Sequence, residues 1–526
     1  MVMFLAALGL CAFLPALTTI PPIDRDEPRY AQAAKQMMES RDYVDIRFQD
    51  QPRYVQPAGI YWLHVAAVRL TGRGVEAPIW VHRLPSVAGA ILAIILTWWV
   101  GLTLGGEVSG IVAALFMAAS VLLGFEARNG TIDAVLLATI LSAMGFLGRA
   151  YLRLPLSRGQ AAQFWVTLAV GLMLKGPIIL LVVGLTAATL SVLDRSARWL
   201  RALRPWPGIA LLLLLALPWY VAICLRSGGE FFRIAFGLNL LGKVVVGRES
   251  HGLLPGTYLL YYWFTFWPAA ALVIPAAPWV WKHRQDRAIR FCLAWLAPTW
   301  VVFELIATKL PHYVLPVYPA IAILLGLALA DGQRPGPALK WLMTAGAMIY
   351  GLLGAGLLFA LERRVSAPAV LLALAGATIF AWALHTPRLT PRSFAAVLAV
   401  GALLLHTATF GFVLPALQTV WVTPRLVAAI QRHAGSPHPQ VAAVGFHEPS
   451  LVFLTGTDTK LVFAREAAEF LLGAEGRVAI VEKRDEPEFL AQFAALERSP
   501  VLRERVTGIS IGRFGRVDIG VYTFAR

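Results

Sequence analysis

Apolar runs long enough to cross a lipid bilayer recur along this chain, at 3–20, 80–103, 108–124, 132–148, 208–225, 257–281, 290–307, 314–330, 341–360, 368–385 and 393–414. A helix rises about 1.5 Å per residue, so about 20 apolar residues match a hydrocarbon layer about 30 Å thick. The stretch 161–193 is also apolar, but Lys175-Gly176-Pro177 interrupts it and predicts two short helices meeting at that break. Together these runs predict about 13 spans. Composition agrees. Hydrophobic residues make up 58% of the chain and charged residues 14%, with a mean hydropathy of +0.67; soluble domains carry roughly 25% charged residues. Such a chain cannot cover its surface in water, and the fold class that follows is a polytopic α-helical membrane protein.

The first run lacks a basic segment before it and reads as an uncleaved helix rather than a signal peptide. Cys11, Cys224 and Cys292 fall in or beside apolar runs, with no disulfide framework and no CxxC spacing. The loops 148–159, 194–205, 282–290 and 385–392 are rich in Arg and Lys. Span counting puts all four on one side, which the positive-inside rule makes cytoplasmic; the run Glu362-Arg363-Arg364 falls outside. The segments 21–79, 226–256 and everything after about 415 then face outward. Part of the net charge of +16 lies on that outer side, which suggests an anionic ligand such as phosphate. Nucleic acid is not indicated: the basic residues are scattered among spans and no recognition motif is present.

The pattern changes near Ser436. Strand-like and helix-like segments alternate from there, punctuated by Gly and Pro, and the last piece reads as a hairpin turning at "GRFGR". Residues 1–435 are thus expected to form a membrane domain, with outer amphipathic helices around 24–70, and 436–526 a small soluble α/β domain on the outer side.

Between the first two spans lies "DRDEPRYAQAAKQMMES" (24–40), dense in charge for so apolar a chain. Asp26 and Glu27 precede Pro28, a favoured residue of a first helical turn. Tyr30, Ala34 and Met37 follow at helical spacing, predicting an amphipathic helix along the membrane surface; carboxylates here also suit plain helix capping. Four further outer spots concentrate polar groups: Arg53, Tyr54 and Gln56; Glu126, Arg128 and Asp133; Arg248, Glu249 and His251; and Lys309, His312 and Tyr313. Lys175 sits at the broken hairpin. Each alone has a structural explanation, since aromatic and basic residues gather at membrane interfaces. Charges at membrane depth are costly and by default mark function. Convergence on one side would supply a carboxylate base and a cationic phosphate clamp.

The ordered series "DEPRY", "RY…P…G.YW", "TIDA", "LKGP" and "TKLPHYVLPVYPAIAIL", from about 20 to 330, resembles the ArnT-like branch of the membrane GT-C glycosyltransferases, which includes the protein O-mannosyltransferases. The tail "GFHEPSLVFLTG" resembles the periplasmic domain of bacterial members. The resemblance implies transfer of a sugar from a polyprenyl phosphate carrier to an acceptor at the outer face of the bacterial inner membrane. ArnT proteins move aminoarabinose from undecaprenyl phosphate to lipid A. By that resemblance Asp26 is the catalytic carboxylate and Asp133 the second acid. Lys175, His251, Lys309 and Tyr313 match positions near the carrier phosphate or the rim, and Glu27, Arg29, Arg53, Tyr54, Arg128 and Arg248 join them as candidate binding groups. The chain departs from ArnT proteins at Val55-Gln56-Pro57, where they carry Glu-Lys-Pro. The resemblance therefore fixes neither aminoarabinose as the sugar nor whether a divalent metal takes part. The competing classes are transfer to protein hydroxyls and a lipid or sugar transporter; the latter expects inverted repeats, and the sequence has one broken hairpin without a partner.

Overall fold

The computed structural model describes residues 1–242, 253–434, 436, 439–494 and 499–524. Among the described residues, eight helices are long and apolar enough to cross a membrane. A ninth crossing follows if the bent pair Thr257–Thr265 and Ala270–Lys282, angled by 114°, is one span. This is fewer than the expected number, and length is a main reason. Val2–Phe13 has 12 residues and Ile178–Leu193 has 16, about 18 and 24 Å of helix against a core of about 30 Å.

That count takes the 40-residue element Ile79–Ala118, which holds the run 80–103 and most of 108–124, as one helix. Straight, it would measure about 60 Å. Gly106, at φ 78° and ψ −174°, breaks it. A Cβ on Gly101 would lie 2.7 Å from the Cα of Gly110, whereas continuous helix would hold these positions about 13 Å apart. The chain therefore reverses at Gly106, and its two arms pack glycine on glycine.

The break at Lys175 is as the sequence predicts. Ser157 and Gln160 form a capping box at the start of Arg158–Lys175. Gly176, at φ 63°, ends that helix, and Pro177 precedes Ile178–Leu193. Asp26–Ser40 and Gly59–Thr71 are the amphipathic pair, joined through the ribbon Arg47–Phe48 with Gln51–Pro52. Tyr30, Ala34 and Met37 of the first helix enter the main core.

The C-terminal sheet runs in the order Lys460–Leu461, Val441–Val444, Val478–Glu482, Gly515–Thr523, Val501–Ser510. Its first three strands are parallel, and the last two add antiparallel as a hairpin turning at 511–514. The helix Val422–His433 buries Val422, Leu426, Ala429 and Ile430 with Val441, Ile480 and Ile519. This core thus recruits residues before 436. On its other side, Phe453 packs with Ala31 and Ile79, seating the sheet layer against the helix Asp26–Ser40.

Candidate active site

The turn before Asp26–Ser40 is held from two sides. Arg25 has φ 87° and ψ −90°, a backbone state that costs a non-glycine residue about 1–3 kcal/mol and persists only where its surroundings enforce it. Asp24 accepts hydrogen bonds from the Ser450 N–H at 3.0 Å and hydroxyl at 2.8 Å. Arg25 donates to the Gly512 carbonyl at 2.5 Å. Both partners belong to the C-terminal layer. From the membrane side, Arg83 donates to Glu27 twice, at 2.6 and 2.8 Å, while the N–H groups of Ile23 and Gly130 donate at 2.8 and 2.7 Å. Asp26, caught between these anchors, keeps an open carboxylate: its side chain is 52% exposed and lies 3.8 Å from Nη2 of Arg53. Burial pushes Asp24 up to about 7, with Glu448 adding to the effect and Ser450 and Arg29 opposing it.

A second cluster faces this turn. Asp133 heads the helix Asp133–Tyr151, and Lys175 ends Arg158–Lys175; Nζ donates to Oδ1 at 2.6 Å. His312, in the tight turn Pro311–Val317, places Nδ1 3.7 Å from Glu126 and Nε2 3.8 Å from Asp133. Glu126 is buried and accepts from the Thr131 hydroxyl at 2.8 Å. Burial raises its pKa, and the Asp133 charge adds to that. The Tyr313 ring lies 5.4 Å from Nζ of Lys175.

Two cavities meet at this cluster. A polar chamber of about 330 Å³ is bordered by Asp26, Arg29, Arg53, Glu126 and Asn129. An apolar groove of about 110 Å³ runs along Leu136, Ile178, Phe231, Phe236, Phe303 and Ile306. Asp133, Lys175, His312 and Tyr313 border both. The wall they form is therefore polar on one side and greasy on the other, with an ammonium at the junction.

Asp26, Arg29, Arg53, Asp133, Lys175 and Tyr313 are thus brought together as expected. Other candidates are not. Glu27 borders the chamber, but its two oxygens already accept four N–H groups, so it is a clamp. The buried Arg128 guanidinium donates to the carbonyls of Ala12, Pro15 and Gly124 and ties the first helix down. Tyr54 donates to Asp45 at 2.7 Å and packs on Phe231. Lys309 donates to the carbonyls of Glu304, at 2.8 Å, and Ile306, closing the end of the helix Arg287–Leu305. It stands beside the site, since the adjacent Leu310 borders the polar chamber. Arg248 and His251 lie outside the described residues.

The sequence alone assigns Glu126 and His312 no site role beyond their place among polar clusters. The available signal was Glu126 preceding Asp133 across a short turn between two apolar runs, with His312 beside Tyr313. Among the described residues no three His, Cys, Asp or Glu side chains form a metal-ligand group, and Asp133 is engaged by Lys175.

Residues 55–221 match the sequence profile of the family described as dolichyl-phosphate-mannose-protein mannosyltransferase. An undecaprenyl phosphate-α-4-amino-4-deoxy-L-arabinose arabinosyl transferase of Pseudomonas fluorescens is 26% identical over 325 residues, covering 59% of this chain and 56% of that protein. The protein of the same description from Edwardsiella ictaluri is 25% identical, covering 57% and 54%. The matched stretch therefore spans little more than half the length of these relatives. The crystal structure of ArnT from Cupriavidus metallidurans bound to undecaprenyl phosphate superposes with a TM-score of 0.78 at 20% identity, covering 99% of this chain and 97% of that one. The Archaeoglobus fulgidus oligosaccharyltransferase AglB is a more distant neighbour, at TM-score 0.51 and 12% identity, covering 93% of this chain and 70% of its own. Similar in sequence over more than half its length to these arabinosyl transferases, the chain shares over nearly all of it the fold of the Cupriavidus metallidurans ArnT crystal structure.

Proposed function

We propose that this chain moves a sugar from a polyprenyl (undecaprenyl) phosphate carrier to lipid A or another envelope glycolipid, at the periplasmic face of the bacterial inner membrane. The observation that carries this reading is the junction of an apolar groove with a polar chamber at Lys175 and Asp133. A polyprenyl phosphate sugar has the same division: a hydrocarbon tail, a phosphate, and a polar sugar. The tail lies in the groove, the phosphate meets Lys175 at the junction, and the sugar occupies the chamber beside Asp26 and Arg53.

In the reaction, an acceptor oxygen forms a bond to the anomeric carbon as the bond from that carbon to the carrier phosphate breaks. The phosphate leaves with the electron pair, and Lys175, Arg29 and Arg53 stabilise the charge that develops there. When the acceptor is a hydroxyl, Asp26 takes its proton. When it is a phosphate, Asp26 orients and stabilises the sugar as it gains oxocarbenium character. The membrane-side walls exclude water from the donor. One displacement inverts the anomeric centre, and NMR of the product checks this; retained configuration would overturn it. Transfer to protein hydroxyls is the second reading, favoured by the family matched over 55–221. Mass spectrometry of lipid A, the carrier pool and the glycoproteome, with and without the gene, separates the two. Loss of one sugar from lipid A is the expected result.

A further inference from the structure

A second large cavity lies at the other end of the same helices. It encloses about 890 Å³ and is bordered by Tyr151, Arg153, Leu154, Leu193, Asp194, Arg198, Trp199, Arg287 and Arg290, among others. The helix Asp133–Tyr151 joins the two places: Asp133 borders the catalytic chamber, and Tyr151 this cavity. Its 19 residues span about 28 Å, close to the thickness of the hydrocarbon layer. The cavity therefore opens at the opposite bilayer surface, the one that the Arg and Lys bias assigns to the cytoplasm.

Its chemistry is that of an anion site. Four arginines face a single acid, Asp194. Arg290 pairs with that acid at 2.8 Å, and Arg287 lies 5.5 Å from the Tyr151 ring. Arg153 and Arg198 have no acidic partner among the described residues. The buried indole N–H of Trp199 also lacks an acceptor. Leu154 and Leu193, 37% and 58% exposed, provide an apolar margin. Arginines without counter-charges, over an aromatic floor and beside exposed leucines, match a phosphate carried on acyl chains.

We propose that this cavity binds the headgroup phosphate of an anionic phospholipid, on the face opposite the reaction. The test uses native mass spectrometry of the purified, delipidated full chain, titrated separately with phosphatidylglycerol, phosphatidylcholine and inorganic phosphate. One phosphatidylglycerol is expected to bind per chain in clear preference to phosphatidylcholine, and millimolar inorganic phosphate should leave it in place. Arg153→Ala with Arg198→Ala should weaken binding by roughly five-fold per arginine. Arg153→Lys with Arg198→Lys should retain most of it, and an unchanged thermal transition without lipid shows that each variant is folded. Equal binding of phosphatidylcholine, or undiminished phosphatidylglycerol binding in the double alanine variant, would overturn the site. Displacement by inorganic phosphate would overturn the lipid as its occupant.

Discussion

Asp26 and Glu27 are neighbours with the same functional group, and the fold gives them opposite fates. Glu27 is sealed in, its carboxylate paired with Arg83 and two backbone N–H groups. Asp26 is half exposed, with one long contact to Arg53. A carboxylate already saturated by protein donors has little left for a substrate; one held in place with its oxygens open can accept a proton or face a developing positive charge. In the reaction proposed above, the sealed acid positions and the open acid reacts. Neither works alone, because the strained Arg25 backbone that presents Asp26 is held by contacts on both sides of it.

Substitutions can break or sharpen this contrast. The largest effect is expected from Asp26→Asn, which should lower kcat by about 10² to 10⁴ and leave the thermal transition unchanged; sugar transfer at the original rate would remove Asp26 from the chemistry. Glu27→Gln should do the reverse. It strands the buried Arg83 and should cost about 3–5 kcal/mol of stability, read as a drop in the unfolding midpoint. Lys175→Met removes a charge-assisted contact at the junction, so KM for the lipid-linked donor should rise about 10 to 100-fold, measured in donor titrations. Ser450→Ala loosens the turn from the far side and should lower kcat a few-fold at constant donor KM, with Ser450→Thr restoring it. A KM effect alone would point to a substrate contact instead. A further test concerns pH. The folded chain retains a proton on Asp24 up to about pH 7, whereas the unfolded chain releases it near 3.8. That stabilisation is complete below about 3.8 and is lost as pH rises through about 7. Asp24→Asn should flatten this slope in thermal melts between about pH 5 and 8.

Much of this was legible in the sequence because lipid imposes simple rules. Run length located the helices, and polar residues beside those runs located Asp26, Arg53, Asp133 and Lys175. What stayed hidden depends on contacts between distant positions. No local pattern distinguishes Glu27 from Asp26 until Arg83 comes into contact. Arg128 reads as a ligand group until three carbonyls from other turns claim it. The reversal at Gly106, by contrast, falls in the gap between the runs 80–103 and 108–124. The length of each apolar helix is less legible than its composition: Val2–Phe13 is apolar throughout but has 12 residues.

The contact between Lys175 and Asp133 has a consequence for turnover. A sugar-bearing carrier is a phosphodiester with one negative charge; the spent carrier is a monoester with about 1.5 to 2. Cations that help the bond break would then grip the discarded tail more firmly than the incoming donor, and an unshielded lysine would become a trap. With a carboxylate 2.6 Å from its ammonium, Lys175 is tempered. In the proposed reaction it is cationic enough to steady the departing group and neutralised enough to let the empty carrier drift back into the lipid.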